Sequence, residues 1–231
     1  MVKIVLTFDD NKWNHYHTVF PLLKKFNLRA TFAYITKGTY FYDDQNDKVI
    51  KEMLDYGIEI CSHSHSHLKF DFSVTNQKDL INDLIENEKT LKKHGIQNFG
   101  IIIPYNHLKI SKSFFDLFSY NYVVYETSTI DNYYPEPKKE IIKFIKESNL
   151  NKFNIRRIEF PLDDKPQYDI NKFYNILDSL KDDEICVIMF HNVSTYCKDI
   201  NVKPDTFEYL LKYLKNSDYE ITTLKEIYNF D

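Results

Sequence analysis

Val2-Lys3-Ile4-Val5-Leu6-Thr7-Phe8 runs straight into an acidic pair, Asp9-Asp10. A short, nearly continuous apolar run reads as a strand covered on both faces, the kind that a parallel sheet sheathed in helices requires. The same pattern recurs at residues 30–35, 58–61, 99–103, 122–125, 155–160 and 185–190. Between these runs, apolar residues share helical faces: Val19, Leu22, Leu23 and Phe26; Leu80, Leu84, Ile85 and Leu91; Ile141, Ile142 and Ile145; Phe173, Ile176, Leu177 and Leu180; Phe207, Leu210, Leu211 and Leu214. Strand–helix alternation of this kind, without a glycine-rich dinucleotide loop, predicts an α/β fold. The expected form is a (β/α) barrel of about seven parallel strands rather than a doubly wound sheet. Residues 43–47 and 133–139, the latter with Pro135 and Pro137, read as loops. No repeat, low-complexity tract or linker interrupts the pattern, so residues 1–231 are expected to form a single domain.

Composition narrows the function classes. Of the residues, 43% are hydrophobic, with 18 Phe and 18 Tyr, which fills a sizeable core and excludes a disordered chain. A net charge of −4 argues against nucleic acid as a partner, since that surface carries a basic patch. Cys61, Cys186 and Cys197 offer neither a disulfide framework nor a metal knuckle, and read as small buried hydrophobes. Met1 leads directly into the first strand, with no basic region, apolar leader or cleavage site. No window approaches the ~20 apolar residues of a membrane span. A soluble, cytoplasmic protein is therefore expected.

In barrels of parallel strands the active site is built at the carboxyl ends of the strands. Four such ends carry reactive groups: Thr7-Phe8-Asp9-Asp10, Cys61-Ser62-His63-Ser64-His65-Ser66-His67, Ile103-Pro104-Tyr105-Asn106 and Met189-Phe190-His191-Asn192. His63 and His67 are four apart, so one helical turn would set both imidazoles on one side. Together with a carboxylate they make a three-ligand site with open positions, the usual form of catalytic zinc. Either Asp9 or Asp10 suits that carboxylate, leaving the other free to take a proton from water. His191 can give a proton to a leaving amine, which completes a hydrolase; neighbouring carboxylates should then raise its pKa. Each feature alone has an ordinary explanation, a helix cap for Asp-Asp or a packed histidine at a strand end. Their joint occurrence at three strand ends points to metal-dependent chemistry.

Taken in order, Thr7-Phe8-Asp9-Asp10, Ala30-Thr31-Phe32, Gly57 through His67, Pro104-Tyr105 and Ile188-Met189-Phe190-His191 resemble the NodB-like polysaccharide deacetylases, a family of metal-dependent carbohydrate esterases. The resemblance runs over nearly the whole chain and implies a deformed, TIM-related barrel of about seven or eight strands. It implies that Asp10, His63 and His67 hold one divalent metal, zinc first, with cobalt, nickel or iron as alternatives. It further implies Asp9 as general base, His191 as general acid, the Tyr105 N–H as an oxyanion donor, and Ser64 as a brace of the ligand loop. His65 occupies a spacer position and is left out; His15, His17, His94 and His107 match no motif position and read as surface residues.

The chain departs from the family pattern in places. Ile102-Ile103-Pro104-Tyr105 stands where many members read Arg-x-Pro-Tyr, so the arginine that pairs with the base is missing, as in one branch of the family. Arg157 is the candidate replacement and Arg156 the second. An Asp-x-x-Asp-Trp block is absent; the nearest text is residues 126–132, and the sole tryptophan, Trp13, follows the first motif instead. Asn11 replaces a usual glycine, which left-handed backbone at Asn tolerates. Ile188 and Phe190 are candidates for the wall of an acyl pocket. The expected activity is removal of an N-acyl group, acetyl first, from an amino sugar or glycan. The alternatives are an amidase acting on a lipid-linked sugar or a non-sugar amide, and an inactive glycan-binding module.

Overall fold

In the computed structural model, which describes residues 1–37, 44–97, 99–106, 108–128, 155–161, 170–196 and 201–228, each of the apolar runs contains a strand. These are β1 (Lys3–Asp9), β2 (Thr31–Tyr34), β3 (Glu59–Ser62), β4 (Ile101–Ile102), β5 (Val123–Ser128), β6 (Ile155–Glu159) and β7 (Ile185–Phe190). The described helices are α1 (Phe20–Phe26), entered through a π-helical turn at His15–Val19, α2 (Asp44–Tyr56), α3 (Gln77–Lys93), α4 (Ile170–Leu177), α5 (Pro204–Asn216) and α6 (Leu224–Tyr228). Short strands β8 (Asn192–Val193) and β9 (Asn201–Val202) pair with each other, and β10 (Glu220–Thr222) joins the main sheet.

Strands β1 to β7 pair in sequence order, all parallel, and β7 returns to β1 to close a seven-strand barrel. The closing seam is the longest register, from Lys3↔Ile185 to Phe8↔Phe190. The barrel is deformed at two places. One Cα pair, Ser62↔Ile101, joins β3 to β4. The other edge of β1 is shared, its Lys3–Val5 half pairing with β10 and its Thr7–Asp9 half with β2.

Alternation along each strand sorts the side chains into two cores. Ile4, Leu6, Phe8, Phe32, Ile60, Ile188 and Phe190 point outward into the layer beneath Leu23, Leu84 and Phe207 of the helices. In that layer Phe8 stacks between Phe32 and Phe190 at 4.8 and 5.0 Å, with Phe207 edge-on. Val5, Ala33, Cys61, Ile102, Val124, Ile155 and Val187 point inward, joined by Leu224 and Tyr228 of α6. Glu59, at the start of β3, accepts from Tyr122 Oη at 2.6 Å, Thr31 Oγ1 at 2.7 Å and Lys225 N at 2.9 Å, fastening α6 beneath the amino ends of the strands.

Three expectations need correction. Residues 44–47 begin α2 rather than a loop; acidic residues favour the first turn of a helix, where free N–H groups and the dipole welcome them. Ile85 is half exposed; the buried stripe of α3 is Leu80, Asp83, Leu84, Asn87 and Leu91. Ile188 and Phe190 have outward parity and pack under the helices, so they line no acyl pocket. The loop at 133–139, the Ile141–Ile145 pattern (141–145) and Cys197 lie outside the described residues.

Candidate active site

The strand ends that carry the motifs converge at the carboxyl mouth of the barrel. Thr7 and Asp9 have the inward parity of β1, and Arg157 that of β6. Arg157 is buried to 1% exposure. Its Nη1 donates to Asp9 Oδ1 at 2.7 Å and its Nη2 to Asp9 Oδ2 at 2.8 Å, a bidentate pair. Nη1 also donates to Thr7 Oγ1 at 3.1 Å and Nη2 to Asn106 Oδ1 at 2.9 Å, so the fork is fixed from both sides. Arg156 is one residue away and therefore faces the other side of the strand. Burial alone would raise the Asp9 carboxyl, but Arg157, His63 and His191 outweigh it and hold the group below its ordinary 3.8.

Asp10 sits at φ 77°, which turns its carboxyl out of the strand's alternation and toward the histidines. Its Oδ1 lies 3.3 Å from His63 Nε2 and 3.3 Å from His67 Nε2. The Nδ1–H of His63 donates to the Ile102 carbonyl at 2.7 Å, so in the neutral ring Nε2 presents a lone pair to Asp10. Asp10 Oδ1 is buried with no hydrogen-bond donor. An oxygen and two imidazole nitrogens that converge to such distances, all within 4.8 Å, fit a divalent cation. Lys12 Nζ approaches the other oxygen, Asp10 Oδ2, at 3.3 Å.

Tyr105 follows Pro104 at φ 61°, half exposed, its ring 4.4 Å from that of His67. His191 directly follows β7, and its carbonyl accepts from His15 Nε2 at 2.6 Å. Burial lowers the His191 pKa from 6.5, against the upward pull of Asp9 and Asp10, which corrects the expected rise. His15 is buried, not superficial; the same burial pushes its pKa down to about 4. His17 is exposed against Trp13, their rings 3.8 Å apart, and His107 lies outside the described residues. Asn11 adopts φ 41° and accepts from Ile35 N at 3.2 Å. Ser64 Oγ accepts from Leu68 N at 3.3 Å across the ligand loop.

Several partners went unread in the sequence. Thr7 and Asn106 flank Arg157, His15 steadies the His191 backbone, and Asn14 ties β8 to the first turn through Asn192 Oδ1 at 3.1 Å and Val193 N at 3.2 Å. The usable signals were local: Thr7 shares the parity of Asp9, and Asn106 follows the Pro-Tyr pair.

Among solved structures, the fold resembles a family 4 acetyl xylan esterase from Clostridium thermocellum in complex with a cobalt ion, at TM-score 0.62 and 20% identity over 97% of this chain and 89% of that one. It also resembles the chitin deacetylase of the fungus Colletotrichum lindemuthianum, at TM-score 0.60 and 16% identity over 99% and 88%. Over 105 residues the chain is 25% identical to the putative polysaccharide deacetylase YxkH of Bacillus subtilis strain 168, covering 42% of this chain and 38% of that protein. Residues 2–114, the stretch that holds Asp9, Asp10, His63, His67 and Tyr105, match the model of the polysaccharide deacetylase family. Over just under half of its length the chain thus carries the sequence pattern of the polysaccharide deacetylases, on a closed barrel of the fold seen in the solved structures above.

Proposed function

We propose that this protein is a metal-dependent hydrolase that removes an N-linked acetyl group from an amino sugar or glycan. One observation carries the reading: a buried carboxylate, Asp9, is held ionised by a bidentate Arg157 beside the Asp10, His63 and His67 acceptors. A module that only bound glycan would need no such base.

Asp10, His63 and His67 would hold the metal, zinc by their chemistry, with cobalt, nickel or iron also suited. Bound there, the metal acts as a Lewis acid and makes water more acidic. Each Asp9 oxygen keeps a lone pair beyond its bond to Arg157 and can take the proton of the attacking water. Arg157 holds that carboxylate in one orientation. The Tyr105 N–H donates to the oxygen that gains charge on the acyl carbon. His191, placed at the end of β7, donates its proton to the departing nitrogen, so that an amine rather than an amide anion leaves.

The likeness to an acetyl xylan esterase supports a second reading, an O-acetyl ester as substrate. Acetate release by the zinc- or cobalt-loaded protein on N-acetylglucosamine oligomers, acetylated xylan and a small activated amide tests both. Turnover of the oligomers is expected. Release from xylan alone would move the ester reading ahead, and inertness on every substrate would leave a binding module.

A further inference from the structure

The loop that carries His67 is held in a conformation its own backbone resists. Ser64 and His67 sit at φ 62° and 57°, left-handed positions where residues other than glycine are strained. The contacts that hold the loop come from α3. Asp83 and Asn87, one turn apart, are buried in the stripe formed by Leu80, Leu84 and Leu91. Asp83 Oδ2 accepts from the His65 N–H at 2.7 Å and Oδ1 from the Ser66 N–H at 2.8 Å, so one carboxylate spans two successive amides. Asn87 Nδ2 donates to the Ser64 carbonyl at 2.8 Å and to Thr36 Oγ1 at 3.0 Å. Thr36 Oγ1 lies 2.9 Å from His65 Nδ1, and Lys37 N donates to the His65 carbonyl at 2.8 Å. His65 is thereby drawn into this network and away from Asp10. A carboxylate buried among leucines is unfavourable unless charge-assisted bonds offset its desolvation, and both oxygens of Asp83 meet that need on this loop.

We propose that Asp83, seconded by Asn87, is the positioning residue of the metal site. Its carboxylate clamps the His65 and Ser66 amides and so fixes the turn that brings His67 Nε2 opposite Asp10 Oδ1 and His63 Nε2. The proposal rests on the metal-binding reading above. Asp83 touches neither metal nor substrate; it acts through the loop.

The test is cobalt titration of the metal-free wild type, Asp83→Asn, Asn87→Leu and His65→Ala, read by visible d–d absorption. Thermal unfolding of each metal-free protein separates loss of the site from loss of the fold. Asp83→Asn preserves volume but offers one acceptor where two amides need one each. Its cobalt affinity should fall about 10- to 100-fold, as for other partners that orient ligands, with an altered band envelope. Asn87→Leu should lose about tenfold and His65→Ala should keep wild-type affinity. A folded Asp83→Asn that binds cobalt with wild-type affinity and spectrum overturns the proposal. If Asp83→Asn does not fold, wild-type binding by Asn87→Leu overturns it instead. A wild type that takes up no cobalt overturns the metal-dependent reading along with this one, whereas wild-type uptake with unaffected variants overturns this one alone.

Discussion

Arg157 reaches Asp9 across 148 residues of sequence, and the exchange Arg157→Lys isolates what its shape contributes. Lysine keeps the charge but cannot make two parallel bonds to one carboxylate. The variant should retain metal, lose about 10²-fold in kcat through misorientation of the base, and shift the acidic limb of its pH profile upward. Unchanged kcat would remove Arg157 from the machinery. The wild-type limbs follow from the two pKa directions. The Asp9 value is depressed, so the base stays ionised until the pH falls below 3.8, and the acidic limb, where Asp9 sets it, lies under that value. The His191 value is lowered by burial, and a neighbouring cation would lower it further, so its protonated fraction is lost as pH rises through a value under 6.5. The alkaline limb of kcat/KM should therefore fall below 6.5, and an alkaline limb near 8 would mean that His191 is not the limiting acid. In the sequence Arg157 was legible only as a candidate for the missing motif arginine, with Arg156 second; its inward place on β6, which separates the two, came from the fold. The depth of burial around His191 was not legible, because it depends on contacts such as His15, from a distant turn.

At the scale of elements, strand periodicity was the most readable feature, since buried parallel strands are written as unbroken apolar runs. Helix faces were less readable. Counting apolar residues alone placed Ile85 in the stripe of α3 and overlooked Asp83 and Asn87, whose burial makes sense only once the loop they hold is present. The start of α2 was missed because its first residues are polar and carry no apolar period. Helix α6 was not foreseen as a plug. Its Leu224, fully buried with the inward core, should cost about 2–5 kcal/mol when cut to alanine. Chemical denaturation of Leu224→Ala measures this, and the folded fraction should keep its acetate-releasing rate, since the plug lies at the end opposite the site. A loss under 1 kcal/mol would mean the plug leaves barrel stability nearly untouched.

For the molecule as a whole, a metal that binds only the folded chain adds stability by mass action, about 2.7 kcal/mol at 100 times its dissociation constant. Unfolding in excess zinc should therefore occur at higher temperature than in chelator, and Asp10→Ala should abolish the difference; equal melting of wild type in both conditions would count against the Asp10, His63 and His67 site. The closing seam has a further consequence. β1 finds its longest partner, β7, about 180 residues later, as the Thr7–Ile188 bond spans 181. Contacts so remote in sequence slow folding, because chain entropy must be lost before the pairing compensates. During synthesis the first strand leaves the ribosome long before β6 and β7 exist. Until they arrive, one of its edges lacks its partner, and Asp9 has no guanidinium to meet. The Asp9–Arg157 pair is thus assembled at the final stage of folding, and the nascent chain passes through an interval in which half of the barrel's carboxyl mouth is already made.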